Sequence, residues 1–257
     1  MLVRVGEKSL LIDAGLSAQT LVSRTKKFSV PPDSIGGILL THEHHDHSVG
    51  AGVLARRMRI PVLANSETLQ ALSTRDELDF PAQEIPTGTP LSFGAITVQS
   101  FPIPHNAVAP VGFTLTIGEC KIAYATDIGS RTPELATALS NASLIILEAN
   151  HDLHWLLHGS YSDEMKARVA SPIGHLSNAD CAEALAHRLE DGTPCTIWLA
   201  HLSRMNNTPA LAKRTILDRL GKHHKTPYTL EVALRDHPSL SWKYGQQAHQ
   251  LDLLSHF

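Results

Sequence analysis

The chain has 257 residues, 42% of them hydrophobic, and carries a formal net charge of −3 with histidine neutral. This size and apolar content suit one large domain with a continuous core, so we expect a single domain over residues 1–257. The weakly acidic balance gives the chain no overall electrostatic attraction for nucleic acid, and with only 5% aromatic residues no stacking platform for bases is indicated. Any nucleic acid must therefore bind to local patches.

The cysteines and the N-terminus indicate a cellular compartment. Cys120, Cys181 and Cys195 form no C-x-x-C pair and leave an odd thiol, which fits a reducing compartment better than a disulfide framework. The N-terminus carries charged residues early and lacks a long apolar core, and no apolar run reaches membrane-spanning length. We therefore expect a cytoplasmic protein without a membrane partner.

The predicted elements alternate between strands and helices. In chain order the patterns predict strands near residues 8–13, 36–41, 60–64, 91–93, 95–101, 111–117 and 120–126, and helices near residues 17–27, 48–58, 66–72, 162–170 and 178–189. Residues 150–178 look like an irregular active-site insertion, and Ser177 or Asn178 would cap the helix that follows it. The signals beyond about residue 225 are weaker. This mixed order predicts an α/β (α+β) protein with two sheets between helices.

One short motif carries most of the functional signal. Four histidines and an aspartate occupy the six positions from His42 to His47, directly after an apolar run. Imidazole and carboxylate groups bind zinc and related metals in catalytic sites. His42 and His44 lie two apart on an extended segment and project to one side, whereas Asp46 and His47 follow where a helix should begin and turn toward a second metal. Two such ions polarise a substrate oxygen and ionise water, so the motif predicts hydrolysis.

Further metal donors follow strand-like apolar runs elsewhere in the chain. Runs of this kind lead to His105, Asp127, Glu148 and His201. Since strand ends at one edge of a sheet converge, we expect these side chains to meet. Singly, each fits a capped turn or a structural histidine as well as a functional role, but together they predict one metal site.

The whole pattern resembles the metallo-β-lactamase-fold hydrolases, whose H-x-H-x-D-H signature is followed by a distant His, Asp and His. The resemblance implies a four-layer αββα sandwich and two divalent metal ions, with Zn²⁺ expected first and Mn²⁺ or Fe²⁺ as alternatives. It also implies that Asp13, in the segment Leu11-Ile12-Asp13-Ala14-Gly15, supports ligand histidines from behind. The implied ligands are His42, His44 and His105 for the first metal and Asp46, His47 and His201 for the second, with Asp127 bridging both.

Within that family, the segments at residues 11–17, 147–152, 174–178 and 199–203 look like the YycJ/WalJ branch, and Asn206-Asn207-Thr208-Pro209 adds to the likeness. That branch belongs with nucleic-acid phosphodiesterases and is associated with exonuclease activity on DNA. The resemblance therefore implies a nucleic-acid substrate, DNA more than RNA, hydrolysed by a hydroxide that bridges the two metals. It leaves the oligomeric state open.

Roles can also be suggested for further residues. His175 is the candidate general acid, because it resembles the proton-donating histidine of related tRNA-processing nucleases, although a histidine that caps the next helix fits as well. Asp46 would also orient the hydroxide. Glu148 would hold a neighbouring histidine or be a simple buried acid, and Ser177 and Arg168 are candidate substrate contacts.

Two other functions remain open. One is a hydrolase of a small thioester, lactone or cyclic phosphodiester that uses the same metals. The other is an inactive scaffold that binds nucleic acid. It is suggested by a departure from the branch, because the sequence starts only a few residues before Leu11, where the branch normally has a strand and a glycine-serine-rich loop. A second departure, Asn106 in place of a common aspartate, should affect only the surroundings of the ligands.

Overall fold

The computed structural model describes residues 1–76, 79–221, 225–244 and 249–250. These residues form two compact units, Met1–Pro102 with Ala107–Val111, and Ile103–Asn106 with the described residues from Gly112 onward. Each unit contains strands and helices, which confirms the mixed α/β class. The expectation of one domain over residues 1–257 stays a prediction. No helix within the described ranges has the length and apolarity needed to cross a bilayer.

The first unit contains a sheet in the order β1-β2-β3-β4-β5, in which β1 is antiparallel to β2 and the other neighbours are parallel. It also contains β6 and β7, an antiparallel pair that belongs to the seven-stranded sheet of order β12-β11-β10-β9-β8-β7-β6. A 3-10 turn spans Pro32–Ser34. The strands are β1 (Leu2–Val5), β2 (Lys8–Ile12), β3 (Ile35–Leu39), β4 (Val62–Ala64), β5 (Ala82–Glu84), β6 (Leu91–Phe93) and β7 (Ile96–Pro102), and the helices are α1 (Ala18–Lys27), α2 (His45–Ser48), α3 (Ala51–Met58) and α4 (Ser66–Asp76).

Apolar strand residues and helix faces form the core of this unit. Ile38, Leu40, Leu54 and Ala55 have no exposed surface and lie in one buried cluster with residues of α1. Burial of this kind is the main favourable contribution to folding. Ser17 caps α1, since its hydroxyl accepts a hydrogen bond from the amide of Thr20 at 3.2 Å, as expected for a helix start.

The helix predicted directly after the histidine motif is divided in two in the structure. Instead of one helix from residue 48 to 58, the chain forms the single turn of α2 and then α3. The cause is the amide of Gly50, which donates to the carbonyl of Ala14 at 2.9 Å rather than to the preceding turn. Gly15 also lies against this segment, and a Cβ there would overlap the carbonyl of Asp46. The histidine loop is therefore held directly against the end of β2.

The second unit contains a sheet in which β9 to β12 run parallel and β8 is antiparallel to β9. Its strands are β8 (Val111–Ile117), which enters this unit at Gly112, β9 (Cys120–Ala125), β10 (Leu144–Glu148), β11 (Cys195–Ala200), β12 (Tyr228–Val232), and the short antiparallel pair β13 (Leu240–Ser241) and β14 (His249–Gln250), and its helices are α5 (Pro133–Leu139), α6 (Leu153–His158), α7 (Asp163–Val169), α8 (Asn178–Leu189) and α9 (Pro209–Leu220).

The central strands of this sheet bring polar residues to one edge. Every residue of β10 and β11 is buried, as is typical of parallel strands covered on both faces. The register pairs Leu147 with Ala125 and Glu148 with Ala200. Asp127 and His201 follow these partners within two residues, so the parallel register places them at the carboxyl ends of neighbouring strands, where ligand sites in such sheets form.

Several predicted elements are confirmed and others were missed. The strand at 111–117 and the helix at 178–189 match, and Ser177 caps the latter by accepting from the amide of Asp180 at 3.1 Å. The insertion at residues 150–178 is more regular than expected, because α6 precedes the predicted α7. Sequence patterns also missed β1, β5 and β12.

Candidate functional site

In the first unit, three of the four motif histidines, His42, His44 and His47, lie close together. The ring centroid of His42 lies 4.5 Å from that of His44 and 4.3 Å from that of His47. Three pairs of residues have ligand atoms within 4.8 Å of each other: His42 with His44, His42 with His47, and Asp46 with His47. His42 and His47 are buried, while Asp46 is exposed at the start of α2. The donors predicted from the motif therefore come together locally.

Asp13 supports this group from the end of β2. Its carboxylate accepts the amide of Thr41 at 3.0 Å, the Thr41 hydroxyl, and Nδ1–H of His47 at 2.9 Å. Burial opposes its charged form, but the charge of His47 and these hydrogen bonds outweigh burial and lower the pKa of Asp13. The hydroxyl oxygen of Thr41 also lies 2.9 Å from Nδ1 of His42. Sequence reasoning did not assign Thr41 a role, although it directly precedes the motif.

In the second unit, four predicted site residues form a compact group. Ligand atoms of Asp127, Glu148, His175 and His201 all lie within 4.8 Å of one another. His105 adjoins the group, since its Nε2 is 3.7 Å from Oδ1 of Asp127 and its ring centroid is 5.3 Å from that of His175. Residues from five separate segments are thus brought to one edge of the sheet.

Glu148 is the centre of this group and is fully buried. Its Oε1 accepts Nδ1–H of His175 at 2.9 Å and Nδ1–H of His201 at 2.7 Å, while Oε2 accepts the amides of Ile128 at 2.8 Å and Leu176 at 3.3 Å. Burial alone would raise its pKa, but the hydrogen bonds from the two histidines outweigh burial and lower the pKa of Glu148. Both carboxylate oxygens are therefore used to hold protein groups.

The histidines here differ in their protonation. Burial lowers the pKa of His105, and its Nδ1–H donates to the carbonyl of Gly174 at 3.0 Å, so the neutral ring presents Nε2 toward Asp127. Burial also opposes the charged form of His175, but the hydrogen bond to Glu148 and the charge of Glu148 outweigh it and raise the pKa of His175. His105 is suited to donate a lone pair, and His175 is suited to hold a proton.

A buried set of asparagines ties together the loops that carry these residues. The Asn207 side-chain amide donates to the carbonyl of Ala149 at 2.9 Å and to Oδ1 of Asn178 at 2.8 Å. Asn150 donates through Nδ2 to the carbonyl of His201 at 2.9 Å. The segments after Glu148, His175 and His201 are therefore linked through side-chain amides. The sequence marked Asn207 only through the family resemblance, because a buried amide has no pattern of its own.

Three site residues have a strained backbone. Asp13, Asp127 and His201 adopt φ angles of 57°, 55° and 55°, in the left-handed region that non-glycine residues rarely occupy. Each lies at the carboxyl end of a strand, which turns its side chain out of the strand direction. Such strain clusters at functional sites.

The two candidate substrate contacts are placed differently. Ser177 is buried, and its hydroxyl donates to Oδ2 of Asp180 at 2.6 Å while it caps α8. Arg168 is exposed in the last turn of α7. Neither belongs to the group around Glu148.

The donor chemistry in both units fits divalent metal ions. Histidines that bind metals usually donate the second ring N–H to a carboxylate or a carbonyl, which fixes the tautomer. His47 does so to Asp13, His201 to Glu148 and His105 to Gly174. Each donation leaves Nε2 as the nitrogen that can bind a metal.

Comparisons with known proteins agree with this chemistry. The family described as beta-lactamase superfamily domain matches residues 8–193. The exodeoxyribonuclease WalJ of Streptococcus pneumoniae is 37% identical over 224 residues, which cover 86% of this chain and 83% of that protein. The exodeoxyribonuclease YycJ of Bacillus anthracis is 36% identical over 221 residues, 83% of this chain and 81% of that protein.

A solved structure supports the fold. The metallo-β-lactamase fold protein YhfI of Bacillus subtilis superimposes with a TM-score of 0.66 over 90% of this chain and 87% of that chain, at 19% identity. This likeness confirms the predicted metallo-β-lactamase fold. The chain belongs to the β-lactamase superfamily and, within it, to the family of the curated WalJ and YycJ proteins.

Proposed function

We propose that this protein is a metal-dependent phosphodiesterase that degrades DNA as an exonuclease. The observation that carries the proposal is the pair of donor clusters, in each of which a carboxylate holds a histidine in the tautomer that binds metals. Membership of the WalJ and YycJ family, whose curated members are named exodeoxyribonucleases, supports DNA over RNA. A phosphodiester is the shared substrate class.

The metal ligands of this proposal are those implied by the family signature. His42, His44 and His105 would hold one ion, Asp46, His47 and His201 a second, with Asp127 shared, and Zn²⁺ is the ion we propose because imidazole and carboxylate donors suit it. Ions bound there would polarise the phosphate and lower the pKa of water toward neutrality.

The chain's own residues then complete the reaction. The exposed Asp46 carboxylate orients the attacking water by accepting its hydrogen bond. The raised pKa of His175 favours the doubly protonated ring, which donates Nδ1–H to Glu148 and carries a second proton on Nε2. That second proton goes to the leaving oxygen as the bond to phosphorus breaks, and the ring becomes neutral. Glu148 and Asp13 keep the histidine rings in position, and the left-handed backbone at Asp127 and His201 turns both side chains out of their strands.

A reducing compartment is consistent with the cysteines. Cys120, Cys181 and Cys195 are all buried free thiols, and burial raises the pKa of each, so the reactive thiolate is disfavoured. We therefore propose the cytoplasm as the working location.

The deciding experiment uses purified protein of measured metal content. It is incubated with end-labelled single- and double-stranded DNA and RNA, and in parallel with bis-p-nitrophenyl phosphate and a thioester. A ladder of single-nucleotide steps on DNA supports an exonuclease. Cleavage of the thioester alone, with a full metal complement, would make the small-substrate hydrolase correct instead.

The role of His175 is tested by His175→Ala, with His158→Ala, an exposed histidine of the same insertion, as the matched control. We expect kcat on DNA to fall by roughly 10²–10⁴-fold, as for loss of a general acid, with metal content unchanged. Unchanged turnover would remove the acid role. Loss of one metal equivalent would show that His175 is a ligand.

A further inference from the structure

A groove between α5 and α8, within the second unit, is lined in part by Gly129, which comes two residues after Asp127. Its volume is about 520 Å³, in the range of small-ligand sites. One end is formed by the loop Gly129–Thr132 and by Asp180. Its floor is apolar, made by side chains of the two helices, Leu135, Ala136, Leu139 and Ala184. An apolar floor with a polar rim at one end suits a ligand that has an apolar part and a polar part.

The rim of the groove continues the backbone of the candidate site. Gly129 comes two residues after Asp127, and its amide donates to the carbonyl of Pro104, the residue before His105, at 2.7 Å. On its other side, a Cβ on Gly129 would lie 2.5 Å from the amide of Gly174, the residue before His175. Any side chain at position 129 would therefore displace residues 172–174, which precede His175. The loop that lines the groove is thus bonded to the segment before His105 and packed against the segment before His175.

The charged side chains that line the groove, Arg131 and Asp180, indicate which ligand fits. Arg131 is half-exposed, and its Nε lies 3.9 Å from Oδ1 of Asp180, a distance at which the guanidinium keeps donors available for another partner. Ser130 and Thr132 add hydroxyl groups to the same rim. A planar guanidinium with neighbouring hydroxyls matches a phosphate, and the apolar floor matches the face of a nucleobase.

We propose that this groove binds one nucleotide of the DNA strand next to the scissile phosphate, with its phosphate on Arg131 and its base on the floor between α5 and α8. The inference rests on the proposed function, since it supplies the strand-binding subsite of that nuclease. The net charge of −3 makes such a local cation important, because the protein as a whole does not attract nucleic acid.

Replacing Asp180 should change the affinity for DNA in the opposite direction from replacing Arg131. Its carboxylate lines the groove and accepts from the hydroxyl of Ser177. A negative charge there repels a phosphate and partly neutralises Arg131. Removing the charge while keeping an oxygen that accepts from Ser177 should therefore strengthen the binding of DNA.

The test compares Arg131→Ala and Asp180→Asn with Arg214→Ala, which removes an exposed cation of α9 outside the groove lining. The first readout is binding of a fluorescent, phosphorothioate-linked single-stranded oligodeoxynucleotide by anisotropy over a series of salt concentrations. We expect Arg131→Ala to raise Kd about tenfold, as for loss of a charge-assisted hydrogen bond, and to reduce the salt slope by about one. Asp180→Asn should lower Kd, and Arg214→Ala should leave it within about twofold.

The second readout is the ratio of kcat/KM on DNA to kcat/KM on bis-p-nitrophenyl phosphate, which has no adjacent nucleotide. This ratio should fall about tenfold in Arg131→Ala, and the fall should increase with the length of the oligonucleotide. Equal losses in Arg131→Ala and Arg214→Ala, or a Kd raised by Asp180→Asn, would overturn the groove. Wild-type protein that cleaves neither substrate would contradict the proposed function, while anisotropy would still decide the groove.

Discussion

The donor groups of the two units are built in different ways. In the first unit they come from the six positions His42–His47, and Asp13 from a neighbouring strand supports them. In the second unit they come from five separated segments, and the fully buried Glu148 holds two histidines and two backbone amides at once. Where one loop supplies the donors, local chain geometry fixes their spacing. Where separate strand ends supply the donors, the spacing is fixed by buried side chains that hydrogen-bond to them.

The largest effect should come from replacing the central carboxylate, as Glu148→Gln. The glutamine amide would face donors that now meet a carboxylate oxygen, so we expect the free energy of unfolding to fall by about 3–5 kcal/mol, the usual cost of breaking a buried charged pair. Urea unfolding followed by circular dichroism measures it. Glu183→Gln is the matched control, because Glu183 forms an exposed pair with Arg219 and its loss should cost about 0–1 kcal/mol.

A smaller effect should follow from the corresponding change in the first unit, Asp13→Asn. The remaining amide oxygen still accepts from the amide and hydroxyl of Thr41, so mainly the bond from His47 is lost. We expect a loss of about 1–2 kcal/mol in the same unfolding assay. If Asp13→Asn destabilised the protein as much as Glu148→Gln, the donors of the first unit would depend on a supporting carboxylate as strongly as those of the second unit, and the contrast between the two units would be wrong.

The smallest effect should come from Ser177→Ala. Its hydroxyl caps α8, so its loss should cost about 1 kcal/mol in stability, with no change in KM for DNA. Ser162→Ala, which removes the cap of α7, is the control of equal chemistry. A raised KM for DNA in Ser177→Ala alone would assign Ser177 to the substrate instead.

The same contrast explains how much of the molecule could be predicted from its sequence. The His42–His47 donors are adjacent in the chain, so a local motif was enough to find them. Asp127 and His201 could be suggested because each follows an apolar strand. What Glu148 does was not predictable in detail, because its four hydrogen bonds come from residues 20 to 53 positions away.

The missed secondary structure also has physical causes. β5 is Ala-Gln-Glu with all three residues exposed, so it lacks the alternation that marks a strand. α6 buries only Leu156, and its other apolar side chains, including Trp155, are exposed without a single face. The split between α2 and α3 depends on a hydrogen bond to Ala14, more than 30 positions earlier. In each case tertiary contacts, rather than local preference, decide the structure.

The left-handed backbone at Asp13, Asp127 and His201 has a consequence for protein engineering. A non-glycine residue in that conformation costs about 1–2 kcal/mol, which glycine would not. At Asp13 and His201, however, glycine would also remove the side-chain hydrogen bonds to His47 and Glu148, so the relief of backbone strain is offset there. Substitutions at these strand ends therefore need to be screened for turnover as well as for heat resistance, because the strain and the functional side chains share the same backbone positions.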